Sequence, residues 1–252
     1  IGFGGIDHIL ASGADVNILV MDNEVYSNTG GQTSKATPAS AIAKFSAGGK
    51  YQSKKDLGMM AMTYGNVYVA QIASGANQMQ TIKALEEAEK FPGPSLVIAY
   101  TPCINHGLRG GMSQTLKEAQ EAVSSGYWSL YRFNPAQREK GKNPMSLDYK
   151  KPNFDHMIGF MKQQTRFSAL ERIQPDDAQR LYQKTVDDAQ TRFYNYARLA
   201  GQEEKIRAKL EGTKVAVGVA ADTKPKRERT VDPEAEARRA ARRAARAEKR
   251  SK

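Results

Sequence analysis

Four short apolar runs, each bounded by polar residues or a turn, predict four β-strands in the first part of the chain. The segments between these runs carry helical spacing and helix caps. Strands that alternate with helices at this spacing predict a parallel α/β sheet with both faces covered. The predicted strands are Val16–Met21, Tyr68–Ile72, Ser95–Tyr100 and Trp128–Arg132.

Start and stop signals place helices in the gaps between these strands. Apolar residues from Ile6 to Leu10 have helical spacing, and a Ser-Gly pair ends that segment. Asn77 is the predicted N-cap of a helix that ends at a Pro-Gly-Pro turn, and Ser113 is the predicted N-cap of the next helix. Both helices fall where a parallel sheet needs a crossover connection.

The pattern changes after Phe133. Residues 134–153 hold three prolines and many Lys and Arg, and we expect them to form a surface excursion. Pro175 suits the first position of a helix, and apolar residues then recur at steps of four and three, which predicts one buried face of a long helix. The residues of that face are Tyr182, Val186, Ala189, Phe193 and Tyr196.

We therefore predict three parts: an α/β domain over residues 1–133, an extension with a long helix over residues 134–212, and a basic low-complexity tail over residues 213–252. The tail has almost no apolar face, so we expect it to be frayed or disordered by itself. The net charge is +11, and from Asp222 onward the tail holds 12 of the 38 Lys and Arg against 6 of the 27 Asp and Glu. Nucleic-acid binding would depend on this tail, and we expect it to be weak and non-specific.

Composition excludes several other classes of protein. The chain is 40% hydrophobic and 26% charged, which is typical of globular domains. It has no run of eighteen apolar residues and no signal-peptide pattern at its N-terminus, so we expect neither a transmembrane helix nor a secreted protein. One cysteine excludes an internal disulfide framework and fits a reducing compartment. We therefore expect a cytoplasmic protein.

The most polar stretch of the chain directly follows the first predicted strand. It reads DNEVYSNTGGQT, and its oxygens suit a hard cation such as Mg²⁺, with the Asn23 side chain and the Val25 carbonyl as candidate ligands. Its Gly-Gly pair would let a diphosphate approach backbone N–H groups. The loop TPCINHG follows the third strand, and the carboxyl ends of parallel strands share one edge, so we expect both loops to open there. A polar surface loop with a Gly-Gly turn is the alternative interpretation.

The second loop holds the single cysteine, Cys103. A lone cysteine is ordinarily a small buried hydrophobic residue. His106 lies three residues on and could activate the thiol, so this alternative stays open. His8, His106 and His156 lack the spacing of metal ligands, and we interpret them as surface or satisfied structural residues.

Several segments together resemble one enzyme family, the pyruvate:ferredoxin (flavodoxin) oxidoreductases. The resemblance covers the C-terminal part of that family and runs from Ile1 to about Leu210. It implies a parallel-sheet, thiamine-diphosphate-binding α/β fold that is N-terminally incomplete in this chain and carries a C-terminal helical arm. The similar stretches include DNEVYSNTGGQTSKATP, KKDLGMMAMTYGNVYVAQIASGAN, FPGPSLVIAYTPCINHGL, SGYWSLYRFNP and RFSALERIQPDDAQRLY.

The resemblance also implies roles for residues of both polar loops. Asn23 and the carbonyl of Val25 stand where the family ligates Mg²⁺, although the family usually has Thr at the position of Asn23. Asn28 matches a catalytic asparagine near the reactive thiazolium carbon, and Cys103 matches the fourth ligand of a [4Fe–4S] cluster. The residues that would line thiamine diphosphate are Asn23, Glu24, Val25, Tyr26, Ser27 and Asn28.

The activity that the resemblance implies is the oxidative decarboxylation of pyruvate with coenzyme A to acetyl-CoA and CO₂. Electrons would pass through [4Fe–4S] clusters to ferredoxin or flavodoxin. A first Mg²⁺-ligating aspartate, three cluster cysteines and an activating glutamate of the family are not found in this sequence. We therefore expect a part of a longer polypeptide that is inactive alone, works with the remaining domains of the same enzyme and forms a homodimer. The alternatives are a non-catalytic assembly module of the same fold and a nucleic-acid binder that acts through its tail.

Overall fold

The computed structural model describes residues 2–210, which form a mixed five-stranded sheet with helices packed on it. Ile1 and residues 211–252 lie outside the described residues, and so does the predicted disorder of residues 213–252. The strands are β1 Asn17–Asp22, β2 Tyr68–Ile72, β3 Ser95–Tyr100, β4 Tyr131–Phe133 and β5 Met145–Leu147. The helices are α1 Phe3–Ser12, α2 Leu57–Met62, α3 Gln78–Glu89, α4 Thr115–Ser124, α5 Met157–Met161, α6 Thr165–Ser168, α7 Leu170–Ile173 and α8 Pro175–Leu199.

The strands lie in the order β1-β3-β2-β4-β5. β3 is parallel to both of its neighbours, with Ser95 opposite Asn17 of β1 and Tyr68 of β2. Because the three strands run the same way, the chain leaves their carboxyl ends at one edge of the sheet. The predicted α/β fold is confirmed, and its first three strands are parallel as predicted. The shared edge for the two polar loops is confirmed as well.

The fourth predicted strand is wrong in its direction and in its bounds. β4 begins at Tyr131 and pairs antiparallel with β2. Side chains hold the residues before it: the Trp128 indole donates to the Ile72 carbonyl at 3.1 Å, and the Gln71 amide donates to the Ser129 carbonyl at 2.8 Å. The apolar run is buried as predicted, but periodicity carries no information on strand direction.

Residues 134–153 are only partly the surface excursion that we predicted. They begin with a 3-10 turn over Pro135–Lys140, and they then form β5, which pairs antiparallel with β4. Met145 and Leu147 of β5 are buried, with a half-buried residue between them. The extension therefore adds the last strand to the sheet.

The helix caps were predicted with mixed success. The Asn77 side chain accepts from the Gln80 N–H at 2.9 Å and caps α3, as predicted. Ser113 is not a cap, because it lies inside a 3-10 turn over Met112–Gln114 that runs into α4. α1 ends at Ser12 and is capped by Gly13, whose φ of 70° is the left-handed conformation that favours glycine at a helix C-terminus.

The long helix α8 begins at Pro175, as predicted, and packs with the sheet in one hydrophobic core. All five residues predicted for its inner face are buried. Tyr196 packs against Tyr131 of β4, with ring centroids 4.6 Å apart and the ring planes tilted by 42°. The described residues, 2–210, form one compact unit, and the predicted boundary at residue 133 stays a prediction.

β1 lies at one edge of the sheet. Its side chains alternate between exposed and half-buried, and Leu19 and Met21 keep 56% and 65% of their surface exposed. The strand is therefore half-covered within residues 2–210, in contrast to β2, which is buried throughout.

Candidate functional site

The two polar loops meet at the carboxyl edge of the sheet. β1 and β3 are neighbours in register, with Asp22 opposite Tyr100. The loop after β3 forms a 3-10 turn over Ile104–His106, which brings the His106 Nε2 to 2.8 Å from the Asn23 carbonyl oxygen. A direct hydrogen bond therefore joins the loop that holds Cys103 to the loop that holds Asn23.

The loop after β1 closes on itself beyond Val25. The Tyr26 N–H donates to the Gln32 carbonyl at 3.0 Å, and the Gly31 N–H donates back to the Tyr26 carbonyl at 2.9 Å. Gly30 and Gly31 have φ of 106° and 88°, so the turn needs glycine at both positions. Their N–H groups are used inside the turn, and Asn28 is exposed at its tip.

Glu24 is the most constrained residue of this loop. Its φ is 61°, which is the left-handed region that residues other than glycine rarely adopt. Its N–H donates to the Asp22 Oδ1 at 3.0 Å, and its carbonyl accepts from the Thr37 hydroxyl at 2.5 Å. Such strained residues persist only where surrounding contacts fix them, and they cluster at functional sites.

The Glu24 side chain is buried among charged and polar groups. Its carboxylate accepts from the Arg166 Nη2 at 2.7 Å and from the Tyr127 hydroxyl at 2.5 Å. The Lys54 Nζ lies 3.2 Å from the other carboxylate oxygen and 2.6 Å from Asp22. Glu24 and Arg166 keep 1% and 4% of their side-chain surface exposed, so this ion pair is shielded from solvent.

The charges around Glu24 decide its ionisation. Burial by itself raises the pKa of the Glu24 carboxyl, but the positive charges of Lys54 and Arg166 outweigh it and hold the pKa at about 2. Burial, together with the nearby charge of Arg166, lowers the pKa of His106 to about 3. The imidazole is therefore neutral near pH 7. Because the Asn23 carbonyl can only accept, the Nε2 atom of His106 carries the proton.

A cavity of about 440 Å³ lies beside the loop, between the carboxyl edge of the sheet and α8. Its volume is in the range of small-molecule sites. Residues Asn23 to Tyr26 form one part of its wall. Polar, aromatic and aliphatic side chains form the rest, among them Lys54, Gln71, Ile98, Trp128, Arg192 and Tyr196.

A family model described as "Thiamine pyrophosphate enzyme, C-terminal TPP binding domain" matches residues 2–99. Pyruvate-flavodoxin oxidoreductase from Klebsiella pneumoniae is 57% identical over 203 residues, which are 81% of this chain and 17% of that protein. Pyruvate:ferredoxin oxidoreductase from Moorella thermoacetica is 54% identical over 200 residues, 79% of this chain and 17% of that protein. The chain belongs to this oxidoreductase family.

The chain spans 17% of the length of these oxidoreductases, so it corresponds to one part of them. A solved 2-oxoglutarate:ferredoxin oxidoreductase from Magnetococcus marinus is 24% identical, with a TM-score of 0.39 over 41% of this chain and 35% of that chain. Within residues 2–210, the helices are too short or too polar to cross a membrane.

The oxygen atoms of the first loop fit Mg²⁺ in chemical type. The Asn23 Oδ1 lies 3.4 Å from the Val25 N–H, which is a weak hydrogen bond that leaves the oxygen open to a cation. Mg²⁺ binds oxygen ligands and keeps phosphate oxygens and water in its shell, so the oxygens of Asn23 and Val25 could share one site with a diphosphate. Among the described residues, no three His, Cys, Asp or Glu side chains cluster as a metal site. The carboxylates of Asp22 and Glu24 in this loop are paired with Lys54 and Arg166, whereas the candidate oxygens of Asn23 and Val25 are neutral.

Cys103 supplies one possible thiolate for an iron–sulfur cluster of the kind that the oxidoreductase family implies. It is half-buried, and its Sγ accepts from the Asn105 amide at 3.6 Å. Such clusters are held by four cysteine thiolates, and this sequence has a single cysteine. The other three ligands would have to come from outside this chain.

Sequence reasoning missed the residues that support the loop. Lys54, Tyr127 and Arg166 surround Glu24, and none of them stands at a spacing that a motif rule recognises. His106 was interpreted as a surface or satisfied structural residue. It is fully buried and satisfied, and its partner is the Asn23 carbonyl of the predicted site. Because both loops follow the carboxyl ends of neighbouring strands, a contact between His106 and the Asn23 loop could have been predicted from the sequence.

Proposed function

We propose that this chain is the thiamine-diphosphate- and Mg²⁺-binding part of a pyruvate:ferredoxin (flavodoxin) oxidoreductase. The complete enzyme would convert pyruvate and coenzyme A to acetyl-CoA and CO₂, with electrons leaving through [4Fe–4S] clusters to ferredoxin or flavodoxin. This chain would act with the remaining domains of the same enzyme, in a cytoplasmic homodimer, and would be inactive alone.

The observation that carries the proposal is the hydrogen bond between the two loops. The Asn23 carbonyl and the His106 ring lie 2.8 Å apart, so the candidate cofactor loop and the loop of Cys103 touch. An enzyme that takes electrons from a substrate on thiamine diphosphate needs an electron acceptor close to that cofactor. The identity to named pyruvate oxidoreductases supports pyruvate as the substrate.

Each residue of the loop would have a separate task. Asn23 and the Val25 carbonyl would hold Mg²⁺, and Glu24 would fix the backbone between them. Asn28, exposed at the tip of the turn, would face the substrate. Thiamine diphosphate supplies the electron sink that decarboxylation of a 2-oxo acid needs. Cys103 would bind one iron of the cluster.

A chimaera tests the whole proposal. The segment of the Klebsiella enzyme that matches this chain is replaced by this chain, and pyruvate-dependent flavodoxin reduction is measured. We expect activity that requires coenzyme A, Mg²⁺ and thiamine diphosphate. A folded chimaera that binds no thiamine diphosphate would contradict the proposal.

The same chimaera separates a catalytic part from an assembly module. We expect Asn28→Ala to lower turnover by about 100-fold, as loss of one positioned polar group at a reacting centre does. Asn66→Ala is the matched control, because Asn66 is exposed and lies just before β2, at the opposite edge of the sheet. Equal turnover of the two variants would favour the assembly module.

Calorimetry of the isolated chain tests its dependence on the rest of the enzyme. We expect no micromolar binding of thiamine diphosphate with Mg²⁺, because the loop offers two neutral oxygens to the metal. Micromolar binding would show that this chain forms the cofactor site by itself.

A further inference from the structure

One short segment of the extension, in which Gln164 and Arg166 are buried, contacts both loops of the candidate site. It runs from Gln163 to Arg166 and includes the start of α6. Toward the Cys103 loop, the Thr165 N–H and hydroxyl both donate to the Gly107 carbonyl, at 2.8 and 2.9 Å. The Arg109 N–H donates to the Gln163 carbonyl at 3.1 Å. The segment therefore holds the end of that loop through three hydrogen bonds.

The same segment reaches the cofactor loop through Arg166. Its Nη2 donates to the Glu24 carboxylate at 2.7 Å and lies 3.2 Å from the Tyr127 hydroxyl. The backbone carbonyl of Arg166 accepts from the Ile42 N–H at 2.7 Å, which ties the segment to the chain that follows the loop. One short stretch thus links two loops whose sequences lie far from it.

The orientation of Arg166 is itself fixed. Its Nε donates to the Gln164 side-chain oxygen at 2.7 Å, and the Gln164 amide donates to the Glu118 carboxylate of α4 at 2.6 Å. Gln164 is fully buried, so water cannot replace these contacts. A planar guanidinium can serve Glu24 and Gln164 at once, which a lysine ammonium at the same position could not reproduce.

We propose that Arg166 is a positioning residue that sets the Asn23–Val25 turn against the Cys103 loop. The proposal depends on the proposed function, since it assigns Arg166 the task of fixing the metal ligands relative to the cluster ligand. Asn23 and Val25 flank Glu24 in the chain. Because the Glu24 side chain is anchored and its backbone is left-handed, Glu24 fixes the direction of the backbone that carries both neighbours. Release of the Glu24 carboxylate would let this turn change its conformation. The two metal ligands would then shift relative to each other and to Cys103.

Hydrogen exchange of the full 252-residue chain, without cofactor, tests the positioning role. We expect Arg166→Met to speed exchange in peptides that cover residues 22–28 and 103–109, while peptides of α3 keep their protection. Arg180→Met is the matched control, because Arg180 also pairs with a carboxylate, that of Asp177, but is exposed on α8. Equal loss of protection throughout the chain, or no change in the two loops, would overturn the proposal.

A conservative variant covers the case in which Arg166→Met does not fold. Arg166→Lys keeps the positive charge beside Glu24 but loses the second hydrogen bond to Gln164. We expect a smaller loss of protection than in Arg166→Met, confined to the same two loops. Protection equal to that of the unchanged chain would show that charge alone matters and would refute positioning by the guanidinium.

The chimaera supplies a second readout. We expect Arg166→Lys to raise the Mg²⁺ concentration for half-maximal activity by about 10–100-fold, as loss of a partner behind metal ligands does. Arg180→Met should leave it unchanged. An active chimaera whose Mg²⁺ requirement is unaltered by Arg166→Lys would refute the positioning role while the proposed function stands. If the chimaera without any substitution binds no cofactor, the proposed function is refuted. The hydrogen-exchange experiment needs no cofactor, so it would still test whether Arg166 positions the two loops.

Discussion

Glu24 depends on partners from distant parts of the chain. Tyr127 and Arg166, which hold its carboxylate, lie 103 and 142 positions away. The family resemblance placed Glu24 in the candidate site, within a polar loop that follows a strand. It could not reveal the partners, since no spacing rule relates residues that only the folded chain brings together. The position of a loop is thus predictable, while the groups that fix its backbone are not.

His106 offers a test at the scale of one residue. We expect His106→Ala to lower the free energy of unfolding by about 1–3 kcal/mol, because the Asn23 carbonyl loses its partner at a buried site. His8→Ala, on the exposed face of α1, should change it by less than about 0.5 kcal/mol. Urea unfolding of both variants measures the difference. Similar values would mean that the bond between the loops contributes no stability.

At the scale of elements, apolar runs bounded by turns were sufficient for β2 and β3. Their predicted and observed bounds coincide, because both strands are buried and a Pro-Gly-Pro turn or a polar loop limits them. The bounds of β4 were predicted wrongly because the apolar run begins at Trp128. Residues 128–130 are buried, but they lie before the strand. β5 was missed because only three residues form it, which is too short for a periodic signal.

The two predicted helix caps give a matched pair of variants. We expect Asn77→Ala to cost about 1 kcal/mol, since it removes the acceptor of the Gln80 N–H at the start of α3. Ser113→Ala should leave stability unchanged, because no cap of α4 depends on its side chain. Thermal unfolding of the two variants provides the measurement. A cost for Ser113→Ala equal to that of Asn77→Ala would contradict this assignment.

For the molecule as a whole, the sheet and the extension share one core. β5 completes the sheet, and Phe193 and Tyr196 of α8 are buried in the same cluster as Trp128. The sequence predicted the buried face of α8 from its period but not the surface that it covers. A period describes one element, and its partner emerges only from the packing of the chain.

Unfolding can show whether residues 2–210 behave as one cooperative unit. The fluorescence of Trp128, the single tryptophan, reports on the sheet. Circular dichroism follows the helices, of which α8 is the longest. We expect both signals to change at the same denaturant concentration. Phe193→Ala should destabilise the chain by about 3–5 kcal/mol and shift both signals together. If Phe193→Ala leaves the denaturation midpoint of the Trp128 signal unchanged, the extension folds separately from the sheet.

The position of β1 has a practical consequence for work with this chain in isolation. The outer backbone groups of an edge strand can pair with an extended segment of another molecule, and two large apolar side chains stand exposed beside them. We therefore expect the isolated chain to self-associate through strand addition at β1. Leu19→Lys would place a charge on this edge strand and is the simplest change to prevent self-association.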